Sequence, residues 1–241
     1  MLGWHDIRQR YRRSALGPFW ITITMGVTIG SIGLVFGILF GQDLHNFLPF
    51  VAAGTIVWGL LSTLITEGCT IFISSESLIR QIKLPYSMHI FRLAWRTIII
   101  FAHNIWVFVV TAVLFRTWPT VMTVLAIPGL LLIILNAVWM ALLLAVFCAR
   151  FRDIPLIVTS ALQLLYIITP IIWLPGSMRG THSYLYEFNP FYHLLELVRA
   201  PLLGHGPTTA NWGVGLTLAL AGWLITFAVF ARYRWRIPYW I

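Results

Sequence analysis

The sequence predicts an all-α integral membrane protein whose helices cross a bilayer six times, and three observations carry that expectation. Of 241 residues, 59% are hydrophobic and 10% charged, against about 45–50% and about 25% in a soluble domain. Cutting the chain at every Asp, Glu, Lys and Arg leaves six uncharged runs of 19 residues or more, at 14–42, 44–66, 97–115, 117–149, 154–178 and 200–231. Each is long enough to hold the roughly 20 apolar residues that span a hydrocarbon core. The third observation is charge asymmetry. With spans at about 19–40, 48–73, 91–115, 124–149, 154–174 and 211–231, 13 of the 16 basic residues fall on the side that carries both termini. Only Arg116, Arg179 and Arg199 fall on the other, so both termini are expected in the cytoplasm.

The same numbers exclude several classes. The residues left outside the runs lie in several pieces and cannot build a separate soluble catalytic domain of ordinary size. The net charge of +9 is spread along a membrane face, which points to anionic lipid or an anionic ligand rather than nucleic acid. Cys69 and Cys148 have no CxxC spacing and read as two small apolar residues at helix ends. The first apolar run is too long for a signal peptide and has no small-residue cleavage site, so it is expected to be the first membrane helix.

Four segments outside the spans carry more information. In 4–16, WHDIRQRYRRSAL, Trp4, Ile7 and Tyr11 share one helical face, with Arg8, Arg10, Arg12 and Arg13 around the rest. This predicts an amphipathic helix lying in the membrane interface; a plain topogenic basic flank is the competing reading. In 74–90, Ser74 or Ser75 can cap a helix that carries Glu76 in its first turn and stops at Pro85 after about ten residues. Leu78, Ile79 and Ile82 give it an apolar edge beside Arg80 and Lys83. Such an edge needs either a partner groove or a lipid surface to rest on. Residues 150–153 form a tight basic turn in which Asp153 can cap the fifth span. The stretch 175–210 is broken by Pro175, Gly176, Gly180 and Pro190 and then by Pro201, Gly204, Gly206 and Pro207, yet is rich in aromatics. Asn189-Pro190 opens a short helix whose Phe191, Leu194, Leu195 and Val198 repeat on one face and whose His193, Glu196 and Arg199 form the polar face. An apolar, broken loop of this kind is expected to dip back into the membrane as a gate.

Within the spans, Glu67 and Arg96 lie at similar depths from one end and are expected to pair. A role for Glu67 in a polar pathway is the alternative. His103, Asn104, Asn136 and Gln163 read as interhelical hydrogen-bonding residues, and Gly26, Gly30, Gly33 and Gly37 as a face for close packing. A membrane enzyme would need clustered carboxylates, or a nucleophile beside a base. The seven acidic residues form no DxD or DDxxD cluster, HxxE at 193–196 has no second ligand set, and GxSxG and HExxH are absent. No metal site and no catalytic residue is expected. The single lysine, Lys83, is not in a GxxxxGK[ST] loop, so a pump built on this chain takes its motor from another polypeptide.

Five segments in order, DIRQRYRRSALGPFW at 6–20, LIRQIKLP at 78–85, RFRDIP at 150–155, TPIIW at 169–173 and the NP…E…R…PLLG pattern at 189–204, resemble the membrane subunit of ABC-2-type exporters of polysaccharides, which serve O-antigen, capsule and teichoic acid export. The resemblance implies two copies of this chain and two ATPase subunits, which bind ATP and Mg while this chain binds no cofactor. It implies that 74–85 is a coupling helix seated on the ATPase, through Ser75, Glu76, Leu78, Ile79, Arg80, Ile82 and Lys83. It implies a rim of Arg8, Arg10, Arg12, Arg13 and Arg92 for the pyrophosphate of a lipid-linked glycan, and gate helices at 175–205. Tyr166, Trp173, Tyr184, Tyr186, Phe191, Glu196 and Arg199 are the expected channel and gate residues, with ordinary packing the alternative for the aromatics. The implied location is the bacterial inner membrane. An ABC-2 exporter of another lipid or a drug, and a membrane enzyme of glycan assembly, are the competing functions.

Overall fold

A computed structural model describes residues 19–39, 41–82, 84–175 and 184–241. The expected interface helix at 4–16, with its four arginines, lies outside the described residues, as do Lys83 and 176–183. The described residues are mostly helical, with no strand among them. The order is α1 (Phe19–Leu39), α2 (Leu44–Ser74), α3 (Glu76–Gln81), α4 (Tyr86–Leu114), a 3-10 turn (Val121–Leu125) running into α5 (Ala126–Arg150), α6 (Ile154–Ile168), α7 (Tyr184–Glu187), α8 (Pro190–Leu202), α9 (Thr209–Tyr233), a second 3-10 turn (Arg234–Arg236) and α10 (Ile237–Trp240).

Five of these stretches are long and apolar enough to cross a membrane: Phe19–Leu39, Leu44–Ser74, Tyr86–Leu114, Val121–Arg150 and Thr209–Trp240. The fifth of the six expected spans departs from this pattern. Its helix is the 15-residue α6, about 22 Å long at 1.5 Å per residue against a core of about 30 Å. The expected boundary at 174 is therefore corrected to 168. The cause is local: Thr169 precedes Pro170, and a residue before proline is driven out of the helical region, here to φ −73, ψ 130. Thr169 makes the last helical bond, to the Leu165 carbonyl, and the backbone from 170 to 174 is not helical.

Helix α2 is the hub and packs against α1, α4, α5, α6 and α8. It is apolar all round and buried along most of its length, as expected of a helix surrounded by others. Small residues set how closely its neighbours approach. A Cβ on Gly68 would lie 2.6 Å from the Cβ of Ala141 on α5, and one on Gly33 of α1 would lie 2.3 Å from Leu48 of α2. Of the predicted glycine face, Gly33 and Gly37 make this close approach, whereas Gly26 and Gly30 have room to spare. The α1–α2 turn needs its own glycine: Gly41 sits at φ 58, in the left-handed region. Asp43 then caps α2 by accepting from the His45 N–H at 3.1 Å.

Loops collect at two ends of the bundle. At one, Arg80 donates to the Ile241 carbonyl and Arg152 to that of Trp240, so 74–86, 150–154 and 233–241 lie together. At the other, Thr120 lies beside Gly204 and His45 stacks on Phe115, which gathers 41–45, 115–121 and 203–209. Asn136 is the interhelical link among the expected polar residues: its amide donates to the Gly215 carbonyl of α9 at 3.0 Å and its oxygen accepts from Trp139 Nε1. His103 bonds within its own helix, and Gln163 is exposed.

A Cβ on Gly129 of α5 would lie 2.2 Å from the backbone oxygen of Leu197 on α8, whereas one on Gly30 meets nothing within 4 Å. Gly129→Ala is expected to destabilise the bundle by about 1–3 kcal/mol and Gly30→Ala by less than about 0.5 kcal/mol, read from unfolding midpoints in detergent.

Candidate gate and coupling sites

The break after α6 creates a problem that α8 solves. Inside a bilayer a free backbone carbonyl has no water to bond to, and the segment 169–171 is fully covered by protein. Arg199, on the last turns of α8, is itself completely buried. Its Nη1 donates to the Pro170 carbonyl, its Nε donates to Glu196 Oε1 at 3.0 Å, and its Nη2 donates to the same oxygen. The guanidinium also lies 4.1 Å from the ring centre of Phe50 on α2. Gly54, one turn further along α2, leaves the space: a Cβ there would be 3.4 Å from Nη1. One carbonyl, one carboxylate and one aromatic face thus answer a cation that would cost several kcal/mol to bury alone.

Asn189 makes the second tie. Its Oδ1 accepts from the Phe191 N–H at 3.0 Å and caps α8, with Pro190 at the first helical position, while its Nδ2 donates to Thr169 Oγ1 at 2.8 Å. His193 makes the third: Nε2 donates to the Glu187 carbonyl at 2.7 Å and Nδ1 meets the Asn211 amide of α9 at 2.8 Å. The predicted polar face of α8 is real, but it points into the protein. Arg199 is consequently a buried structural cation rather than a residue exposed on the wall of an open channel.

The predicted aromatics divide. Tyr166 and Phe191 both pack on Trp58 of α2, each with ring centres 5.8 Å apart, inside the bundle. Trp173, Tyr186 and Tyr192 form a ladder with successive centres 6.1 and 5.1 Å apart, and Trp173 Nε1 donates to the Ile167 carbonyl at 3.0 Å. Burial pushes the Tyr192 phenol up to about 12; Glu196 adds to the rise and Arg199 opposes it, so the ring stays an uncharged hydroxyl donor. Tyr184 is exposed at the edge of this cluster. Sequence reasoning missed Phe50, Trp58 and Tyr192. Tyr192, beside a cap and a proline, was the legible one.

At the other end of the bundle lies the short helix α3. It is shorter than expected: six residues, ending at Gln81 rather than at Pro85. Ile82 is extended at φ −129, ψ 126, and Pro85 instead stands at the N-cap of α4. The proline starts the next helix, and the chain has already left α3 in extended form at Ile82. Neither serine caps α3 through its side chain; Ser74 Oγ donates back to the Ile71 carbonyl at 3.2 Å. Asp153 likewise occupies the N-cap position of α6 without a side-chain cap bond. Glu76 and Arg80 pair across one turn at 2.9 Å. The apolar edge is split: Ile79 packs inward on the core, Leu78 is half-buried and Ile82 is half-exposed.

Glu67 and Arg96 meet between α2 and α4, with Arg96 Nη2 donating to Glu67 Oε2. Arg92 lies one turn nearer the α3 end, half-buried. Among the described residues, no three His, Cys, Asp or Glu side chains group as a metal site.

The described residues thus form a bundle of apolar helices with irregular, aromatic-rich backbone at one end and a short amphipathic helix at the other. Residues 1–203 match the ABC-2 type transporter family. The chain belongs to that family. Curated relatives include the O-antigen export system permease protein RfbA of Myxococcus xanthus, 22% identical over 202 residues that cover 83% of this chain and 78% of the relative. The protein of the same name from Klebsiella pneumoniae is 20% identical over 236 residues, covering 96% and 90%. As an ABC-2 transporter the chain is a multi-pass transport subunit, not an enzyme, and the ATPase is a separate partner subunit.

Replacing Arg199 by Met leaves the Pro170 carbonyl without its donor, and is expected to cost about 3–5 kcal/mol. Arg199→Lys should recover only part, because an ammonium lacks the planar fork. Both are read from thermal unfolding of the purified ABC-2 subunit. For the second ion pair, Glu67→Arg or Arg96→Glu alone should lower the yield of folded protein severalfold, and the double exchange should restore it.

Proposed function

We propose that this chain is the permease subunit of an ATP-driven exporter that carries a lipid-linked, O-antigen-like polysaccharide out of the bacterial cytoplasm, as two copies working with two ATPase subunits. The observation that carries the reading is the alignment with O-antigen export permeases along nearly the whole chain, joined to a two-ended architecture that suits such a task. The chain crosses the inner membrane six times in this reading, with both termini cytoplasmic. Segments 74–86, 150–154 and 233–241 share one end of the bundle. Since α9 is long enough to span on its own, the passage from 154 to 208 must return the chain to the opposite end. Helix α6 supplies most of that sixth crossing, and the irregular backbone pinned by Arg199 completes it.

The 74–86 end faces the motor. Helix α3 is the coupling element, and Ile82, half-exposed among the apolar residues of its edge, enters the ATPase cleft. The glycan's pyrophosphate meets the basic rim of Arg8, Arg10, Arg12, Arg13 and Arg92, where charge-assisted hydrogen bonds hold the anion. ATP and Mg act within the partner. Closure of the motor shifts α3 and parts the two permease copies. The sugar chain then slides past the ladder of Trp173, Tyr186 and Tyr192, whose rings offer broad amphipathic surface with few fixed hydrogen bonds. A small-lipid exporter is the second reading, favoured by a wholly apolar groove of about 470 Å³ between α4, α5 and α9 that includes Phe91, Trp95, Leu131 and Trp223. Deletion of the gene separates the two: the glycan reading expects lipid-linked glycan to accumulate inside the cell, and no accumulation would overturn it.

Because Ile79 packs into the core, an Asp there would damage folding as well as coupling. Ile82→Asp is the cleaner substitution. Burial of one such side chain contributes about 1.5–3 kcal/mol, so the ATPase subunit is expected to bind about tenfold or more weakly to membranes that hold normal amounts of the variant permease.

A further inference from the structure

We propose that residues 234–241 are a strap that ties the coupling helix α3 to α5 and α9, and that Trp240 and Ile237 are positioning residues which carry the motor's movement into those two spans. This rests on the coupling assignment made above and extends it to where the movement goes next.

A six-residue helix has at most two intrahelical turns and is far below the length that is stable in isolation. Helix α3 is followed by extended backbone at Ile82 and buries none of its residues fully. Attached only by its covalent neighbours, it would absorb a push by fraying rather than pass it on. The strap supplies what is missing. The Arg80 side chain, already paired with Glu76, donates to the Ile241 carbonyl at 2.6 Å. From the far side, Arg152 in the α5–α6 turn donates to the Trp240 carbonyl at 3.3 Å. The Arg150 guanidinium lies 5.5 Å from the centre of the Trp240 ring and 5.1 Å from that of Phe151. Trp240 also stacks on Tyr233, the last residue of α9, at 5.9 Å.

The strap is therefore gripped by two elements distant in sequence, α3 and the α5–α6 turn, and by the end of α9 that precedes it. Its two apolar anchors, one helical turn apart, are in the core: Ile237 is fully buried and Ile241 is 6% exposed, while Trp235 before them and Tyr239 between them are exposed. Buried positions at that spacing belong to a helical segment with one face against the bundle. A small gap of about 70 Å³ lies between the strap and the end of α5, among Phe147, Arg150, Tyr233 and Trp240, and a more open one of about 290 Å³ lies on its outer side against Arg232, Tyr233, Trp235 and Arg236. A displacement of α3 is thus transmitted through Arg80 to the strap, and through Trp240 to the ends of α5 and α9. Helix α5 meets α8 at Gly129, and α9 meets it through Asn211 and His193. The route leads to the gate.

The test uses the permease with its ATPase partner in proteoliposomes, and amide hydrogen exchange. Trp240→Ala is expected to raise exchange across 76–82 at least fivefold in the permease alone, with Trp240→Phe restoring protection. In the complex, a non-hydrolysable ATP analogue should change exchange across 184–202 in the wild type and in Trp240→Phe, but not in Trp240→Ala, while the ATPase subunit still co-purifies with all three. A merely destabilised variant would lose complex in proportion and keep the nucleotide response of what remains. Unchanged protection of 76–82 in Trp240→Ala, or a full nucleotide response at 184–202, would overturn the strap. Failure of any ATPase subunit to co-purify with the wild type would instead overturn the coupling assignment itself. Should Trp240→Ala not fold, Ile237→Val, which removes one buried methylene, is read in the same way, with a smaller rise expected and no change overturning the proposal.

Discussion

The packing of the irregular backbone after α6 against α8 and α2 depends on one buried cation. The chain breaks its helix at Thr169-Pro170, in a region where lipid offers no hydrogen bonds, and the Pro170 carbonyl must be satisfied by protein. Arg199 does so while spending its other donors on Glu196 and its face on Phe50. An aliphatic side chain would leave the carbonyl orphaned, and a lysine would reach it without holding Glu196 in the same plane. The irregular stretch 169–175, helix α8 and the middle of α2 are thereby fixed as one body, and Gly54 and Gly129 are small because that body is packed at backbone distance.

The same constraint explains how polarity is distributed elsewhere. Three of the polar groups inside the bundle are answered by groups on neighbouring helices: Glu67 by Arg96, Asn136 by Gly215, His193 by Asn211. Apolar side chains are left to face outward along α1, α6 and α9, where Phe19, Ile38, Leu156, Ile157, Leu220 and Leu224 are all exposed. Those faces suit lipid or a second copy of the chain. In the proposed exporter, function is concentrated at the two ends of this core. An ABC-2 permease needs this division, because the motor and the exit are on opposite sides of the membrane and must be joined by something stiff.

How much of this was legible in the sequence follows from the range of the interactions. The apolar runs located five of the long helices to within a few residues, since hydrocarbon thickness dictates their length. Glu67 and Arg96 were found together because depth along a helix is countable. The Asn189-Pro190 start of α8 was found because a cap is a local signal. The errors were non-local or came from proline. A run of uncharged residues at 154–178 reads as a span, yet Pro170 ends the helix early; Pro85 reads as a stop, yet it opens α4. The inward direction of His193 and Arg199 was invisible, because a polar face on an amphipathic helix looks the same whether it meets water or a buried carbonyl. Trp58, which holds Tyr166 and Phe191 together, carries no local signal at all.

The central claim is that α6 and the pinned backbone after it together make a sixth crossing, which sets a gate and a coupling helix on opposite sides of one membrane. Exposed positions at each end report on it directly, and Cys69 and Cys148 are buried and give no background. Single cysteines are placed at Ser77 on α3 and at His205 beside the far loops, both exposed, and treated with a membrane-impermeant maleimide in right-side-out spheroplasts and in inverted vesicles. The account predicts that His205→Cys is labelled only in spheroplasts and Ser77→Cys only in inverted vesicles. Labelling of both positions from the same side would contradict it.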